Sequence, residues 1–394
     1  MTGIDFRAEA EALRAELIAR RRDLHMHPEL AFEEFRTSGI VAEELNRLGL
    51  EVQSGVGKTG VVGILDGAKD GPTVLVRADM DALPILEEND FEYVSAVPGK
   101  MHACGHDGHT TIALGVAKLL SQRRAQLAGR VKFVFQPAEE VVGGAKAMIA
   151  DGVLENPRPD VSVGLHLWNG MPLGQLGVAD GPVMAGSSTF TLTITGRGGH
   201  AASPHSAADP VVCAAQLITA FQSILSRNMN PLDSAVISVT QLQAGTASNI
   251  IPQTVQMNGT IRAFRLEVRD LVENRMHAIS KSLCEAMDCV AELNINHHVL
   301  PVANHPEVSQ RLRGVFRHFV GDDGLLLDER TMGSEDVGLF MDDIPGMYFF
   351  VGAAVPGREV YYGHHHPRFD FDENALPLSV ALLASAVAEY LVPG

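Results

Sequence analysis

Residues 73–84 read TVLVRADMDALP, an apolar, β-branched run that ends in two aspartates, Asp79 and Asp81. A strand with no polar face to turn to water belongs in a sheet covered on both sides. Similar runs occur at VVGIL (61–65), VKFVFQP (131–137), VSVGLHLW (161–168) and GMYFFVGAA (346–354), with helical patterns such as TIALGVAKLLSQRR (111–124) among them. Buried strands alternating with helices predict an α/β domain.

The pattern changes at 188, where STFTLTITGRGG alternates strictly, as a half-buried strand does. A helix over about 208–226 follows, then strands at AVISVTQLQ and TVQMNGTIRAF, a helix over about 267–286 and a strand near VAELNIN. That order, βαββαβ, is a complete ferredoxin-like unit inserted into the first domain. The expected division is a catalytic domain over 1–184 and 299–394, with a satellite over 185–298. A length of 394 residues suits two domains with sizeable cores.

A net charge of −17 leaves no basic block to neutralise phosphates, which argues against nucleic acid or an anionic membrane surface as a partner. No apolar run approaches the ~18–20 residues that span a bilayer, so the expected location is cytoplasmic, without a leader. Four scattered cysteines are too few for a disulfide framework in a chain of this length. Cys213, Cys284 and Cys289 read as small buried hydrophobes.

Cys104 differs, because MHACGHDGH (101–109) gathers it with histidines just before a helix. Ligands of open α/β sheets bind at the carboxyl ends of strands. There the sequence supplies Asp79 and Asp81, Glu139 and Glu140 after VKFVFQP, His166 within VSVGLHLW, and a late HHH at 364–366. Thiolate, imidazole and carboxylate are the ligand set of zinc and neighbouring metals, and this many donors could serve two ions about 3.5–4 Å apart. Each signal has an ordinary alternative: loop residues for CGH, a solvated face for Glu139–Glu140, a core histidine for His166, a surface loop for HHH. Together they point to a metal hydrolase. His25 and His27, after a helix and before a proline, read as helix-end and turn residues.

The segments RADMDALP, MHACGHDGHT, QPAEE, GLHLW, GGHAASPH, NIIP, TMGSEDV and HHHPRFDFDE span nearly the whole chain. In order and spacing they resemble the metal-dependent aminoacylase and carboxypeptidase family, and within it the hippurate hydrolase, N-acyl-amino-acid amidohydrolase and auxin-conjugate hydrolase subgroup. The resemblance implies that Cys104, His106, Glu140, His166 and His365 bind two divalent ions per chain, drawn from zinc, manganese, cobalt or nickel. His365 is chosen over His366 because the subgroup's ligand lies two residues before the proline, here Pro367. Relatives outside the subgroup carry a histidine ligand where this chain has Asp79, and Cys104 stands in for it. The resemblance also implies Glu139 as general base, Asp81 as the residue orienting a ligand, and His200 as a transition-state or substrate-binding histidine that reaches a second subunit's site. Asn249 and Arg262 are expected to hold a substrate carboxylate, a guanidinium being able to grip it bidentately. The satellite is expected to join chains into a dimer or tetramer.

The reaction expected is hydrolysis of N-acyl-L-amino acids, acetyl or benzoyl for example, to a carboxylate and a free amino acid by a metal-activated water. Three alternatives stand beside it. They are a dipeptidase or aminopeptidase, a cysteine nucleophile at Cys104 with His106 or His109 as base, and a non-catalytic protein that binds acyl amino acids. Glu335 reads either as part of a helix start capped by Ser334 or as support for the site.

Overall fold

A computed structural model of the chain describes residues 5–358 and 360–392. The first part runs through helices α1 (Arg7–Ala12), α2 (Arg14–Met26) and α3 (Phe35–Arg47) into strands β1 (Glu51–Val56), β2 (Gly60–Asp66) and β3 (Lys69–Asp79). Helix α4 (His106–Ser121), β4 (Ala128–Gln136), α5 (Gly144–Ala150), β5 (Val161–Trp168), β6 (Leu176–Gly177) and β7 (Gly181–Met184) complete it. The inserted segment holds β8 (Gly186–Thr195), β9 (Gly199–His200), α6 (Pro210–Ser223), β10 (Ala235–Ala244), β11 (Ile250–Ile251), β12 (Thr254–Ala263), α7 (Leu266–Ala286) and β13 (Val290–Val299). The chain then returns through β14 (Val302–Asn304), α8 (Pro306–Val320), β15 (Leu325–Leu326), β16 (Gly346–Gly352) and α9 (Ala375–Leu391).

Two compact units result: Met1–Val183 with Val302–Arg330 and Asp336–Gly394, and Met184–Pro301 with Thr331–Glu335. The larger is built on an eight-stranded sheet in the order β1-β2-β4-β3-β5-β16-β6-β15. Its four central strands, β4, β3, β5 and β16, are mutually parallel. Their carboxyl ends therefore emerge along one edge, with Asp79 opposite Gln136 and Trp168 opposite Gly352. Helices α4 and α9 pack against each other and against these strands. Both are buried almost all round, which is why ALPLSVALLASAVAEYL shows no polar face.

The smaller unit is a four-stranded antiparallel sheet, β10-β12-β8-β13, with α6 and α7 supplying its core. Chain order and strand order together make it ferredoxin-like. In β8 the alternation is direct: Phe190, Leu192 and Ile194 are buried, while Thr189, Thr191 and Thr193 between them are partly exposed. Asp209 caps α6 by accepting from Val211 N (2.8 Å), with Pro210 in the first turn where a missing N–H costs nothing. Cys213, Cys284 and Cys289 are free, buried thiols in this core. Among the described residues, no helix is long and apolar enough to cross a membrane.

Candidate metal centre

Asp79 and Asp81 leave the end of β3 fully buried, and their oxygens organise what surrounds them. The Asp81 carboxylate accepts the backbone N–H of Glu139 (3.0 Å) and of Glu140 (3.1 Å), one on each oxygen. Its backbone carbonyl accepts from His106 Nδ1 at 2.9 Å. One residue thus fixes the loop after β4 and the tautomer of His106, whose Nε2 is left with its lone pair bare.

Helix α4 begins at His106 behind Gly105, whose φ of +91° is a left-handed conformation that suits glycine. Within the first turn, a Cβ on Gly108 would lie 2.5 Å from Leu167 Cδ1, so only glycine lets α4 approach β5 this closely. That approach sets the His106 and His166 rings 6.5 Å apart, centre to centre. His166 bonds through Nδ1 to Leu167 O (2.8 Å), which leaves Nε2 as acceptor, 3.6 Å from Cys104 Sγ.

The five ligands read from the sequence fall into two groups that share Cys104. The ligand atoms of Cys104, His106 and His166 lie within 4.8 Å of one another, as do those of Cys104, Glu140 and His365. Glu139 joins His106 and Glu140 in a third such group. Of the three late histidines, His365 faces the cluster, with Nε2 3.3 Å from Glu140 Oε2. His364 bonds to Leu167 O instead (3.1 Å), and His366 Nδ1 accepts from Arg368 N (2.9 Å).

These donors fit divalent metal. His106 Nε2 and Glu140 Oε1 are buried without a hydrogen-bond partner, as metal-directed lone pairs are. Proton affinities carry the same message. Against the pull of burial, the charges of Asp79 and Cys104 push His106 well above the ordinary imidazole range. Hydrogen bonds to Cys104 and Glu140 push His365 up to about 10. The cluster demands positive charge, which a divalent cation supplies more fully than a proton. Burial, with His109 and His364 close by, pulls His166 well below the ordinary range, so it is the neutral imidazole that ligation requires.

His109 is buried beside this cluster but belongs to its frame. Its Nε2 accepts the Leu167 N–H (2.9 Å), so Nδ1 carries the proton and donates to Asp79 Oδ1 (2.7 Å). With both nitrogens engaged it has no lone pair for a metal or for a cysteine thiol. Asp79 passes the constraint on: Arg77 Nη1 donates to its Oδ2 (2.7 Å), and Arg77 Nη2 reaches Asp336 Oδ1 (3.1 Å). Burial and Glu140 raise the Cys104 thiol, the opposite of what activates a cysteine nucleophile.

His25 is more than a helix-end residue. It is fully buried, with Nδ1 2.8 Å from Asp107 Oδ2 and Nε2 3.1 Å from Glu87 Oε1, and Arg21 Nε also donates to Asp107 (2.9 Å). This network holds the residue after His106. Backbone strain sits here too, since Ala138, Val142 and His365 have positive φ without being glycine. No sequence signal announced it.

In the satellite, His200 is exposed on β9, paired with Ile250, and Ala201 N donates to Asn249 O (3.0 Å). His200 and Asn249 are therefore neighbours. Arg262 is not with them. It lies eight residues along β12 from Thr254, about 26 Å at the rise of an extended strand. Within one satellite, Asn249 and Arg262 therefore lie too far apart to grip the same carboxylate together.

The family described as "Peptidase family M20/M25/M40" matches residues 75–389, which include every candidate ligand. The chain belongs to this M20/M25/M40 peptidase family. It is a hydrolase of amide bonds. N-acetylcysteine deacetylase of Bacillus subtilis (strain 168) is 39% identical over 94% of this chain and 95% of its own length. IAA-amino acid hydrolase ILR1-like 4 of Arabidopsis thaliana is 40% identical, over 95% of this chain and 86% of its own. Among solved structures, the Bacillus subtilis YXEP protein, described as a dinuclear metal binding peptidase from the M20 family, superposes with a TM-score of 0.84. It is 35% identical over 95% of this M20 chain and 97% of its own. These relatives, with the ligand groups above, make the chain a metallo-amidohydrolase.

Proposed function

We propose that this amidohydrolase cleaves N-acyl-L-amino acids at two divalent ions held by Cys104, His106, Glu140, His166 and His365. The observation that carries the reading is the pair of buried, unpartnered lone pairs on His106 and Glu140 beside the Cys104 thiol. Bound metal would supply Lewis acidity and a water of lowered pKa. Glu139 is the general base, moving a proton from water to the leaving amine. Asp81 aims it, because the Asp81 carboxylate fixes the Glu139 and Glu140 amides together. Asp79, Arg77 and His109 hold the walls rigid. The separation of Arg262 from His200 and Asn249 supports contributions from two copies of the chain to one substrate, hence a dimer through the satellite.

The acyl amino acid reading draws on the deacetylase and the IAA-amino acid hydrolase among the relatives. The peptidase description of the YXEP structure favours a second reading, cleavage of dipeptides. The test is amino-acid release from N-acetyl, N-benzoyl and dipeptide substrates, with metal-stripped protein refilled separately with zinc, manganese, cobalt or nickel. Metal-restored turnover of the acyl compounds is expected. Turnover of dipeptides alone would replace this reading with the second.

A further inference from the structure

The turn that presents Glu139 and Glu140 is gripped at three successive amides, and Asp81 accounts for only two of them. The third is Ala138, whose N–H donates to Glu34 Oε1 at 2.8 Å. Glu34 comes from the segment HPELAFEEF (27–35), ahead of the family-matched residues 75–389, and is fully buried. The same oxygen accepts the Phe32 N–H (3.0 Å), while Thr59 Oγ1 donates to Oε2. All three donors are uncharged, so hydrogen bonds rather than an ion pair hold this carboxyl group in place.

The backbone at Ala138 explains why it has to be held. Its φ of +53° lies in the left-handed region, which a residue with a Cβ keeps only where its surroundings over-determine it. Ala138 O accepts the N–H groups of Gly143 (3.2 Å) and Gly144 (3.1 Å), which set the turn's own shape. Glu34 and Asp81 tie that turn to other parts of the unit. The segment that carries Glu34 is also bound next to Asp81: Ala82 N donates to Glu29 O (2.8 Å), and Leu30 forms a parallel bridge with Ala82. One short stretch of chain thus abuts the backbone just after Asp81 and just before Glu139.

We propose that Glu34 is a positioning residue for the general base, gripping the Ala138 amide so that the next residue, Glu139, is aimed at the water whose proton it takes. The proposal rests on the assignment of Glu139 as that base. Proton transfer requires hydrogen-bond reach, and a misplacement of about 1 Å at a reacting group can cost roughly a hundredfold.

The test starts from Glu34→Met, which keeps the length of the side chain and strips both oxygens. On folded, metal-loaded protein kcat should fall roughly tenfold to a hundredfold with KM nearly unchanged, the pattern of an interaction made only in the transition state. A raised KM with natural kcat overturns the proposal. Glu34→Gln keeps one oxygen for the two amides and turns an NH₂ toward the Thr59 hydroxyl, so it should recover most of the loss. The deciding comparison repeats Glu34→Met in a Glu139→Gln background. A residue that acts through Glu139 costs little once the base is gone, whereas a merely structural one lowers kcat by the same factor in both backgrounds. Equal factors therefore overturn the proposal. If Glu34→Met does not fold, Thr59→Val removes one of the three donors, should lower kcat about twofold to tenfold, and is judged by the same comparison. Apart from turnover, hydrogen exchange over residues 137–145 should quicken in Glu34→Met and stay near natural in Glu34→Gln; unchanged exchange in Glu34→Met also overturns the idea. Full activity in Glu139→Gln alone would sink the base assignment and this proposal together, while equal factors beside a crippled Glu139→Gln would sink only the role of Glu34. The comparison applies to whichever amide the enzyme turns over, acyl amino acid or dipeptide.

Discussion

Replacing Asp81 with asparagine keeps the shape of the side chain and removes half of what it does. The carboxylate accepts two successive backbone N–H groups, at 3.0 and 3.1 Å, in a site that is 1% exposed. An asparagine offers one oxygen, and its NH₂ meets the other N–H donor to donor. The loss of one charge-assisted bond costs about 1.5–3 kcal/mol, and the stranded amide keeps the total near 3 kcal/mol. The loop bearing Glu139 and Glu140 then loses one of its two bonds to Asp81, so metal affinity should fall roughly tenfold to a hundredfold, the range typical of residues that orient ligands. The assay is metal competition against a chromogenic chelator on folded protein, with thermal unfolding in parallel. A folded Asp81→Asn protein that binds metal within twofold of the natural one would refute the idea that this clamp positions the ligands.

Glu139→Gln should reduce kcat by about 10²–10⁴-fold while keeping the full complement of metal, measured by steady-state kinetics beside elemental analysis. Retained activity would remove Glu139 as the base. Away from the cluster, burial lowers Lys132 to about 8, with its ammonium held by the carbonyls of Glu155 (2.7 Å) and Pro157 (3.1 Å). An unfolded lysine keeps its proton to about 10.4, so above pH 8 the unfolded chain binds more protons than the folded one and stability rises with pH. Melting temperatures from pH 7.5 to 9.5 should therefore climb relative to Lys132→Met, and parallel curves for the two proteins would show that Lys132 does not contribute.

The sequence by itself determined the fold class and the roster of donors, because both depend on local chemistry. An unbroken apolar strand such as TVLVRAD has to be covered on both faces, and strict alternation in TFTLTIT has to make a half-buried sheet. Cysteine, histidine and glutamate at strand ends are ligand-grade wherever they fall. What only the tertiary structure decided is which atoms face which. His109 shares the GHDGH stretch with His106, yet Leu167 N–H and Asp79 occupy both of its nitrogens, while Asp81 O fixes only one of His106 and leaves the other bare. Arg77 and Asp336, 259 residues apart, meet only because β3 ends beside the turn that Asp336 begins. Asn249 and Arg262 stand thirteen positions apart in the sequence, and it is the extended run of β12 that keeps them apart within one chain. A lone pair's availability depends on neighbours contributed by distant parts of the chain, and residue spacing in a sequence cannot specify those neighbours.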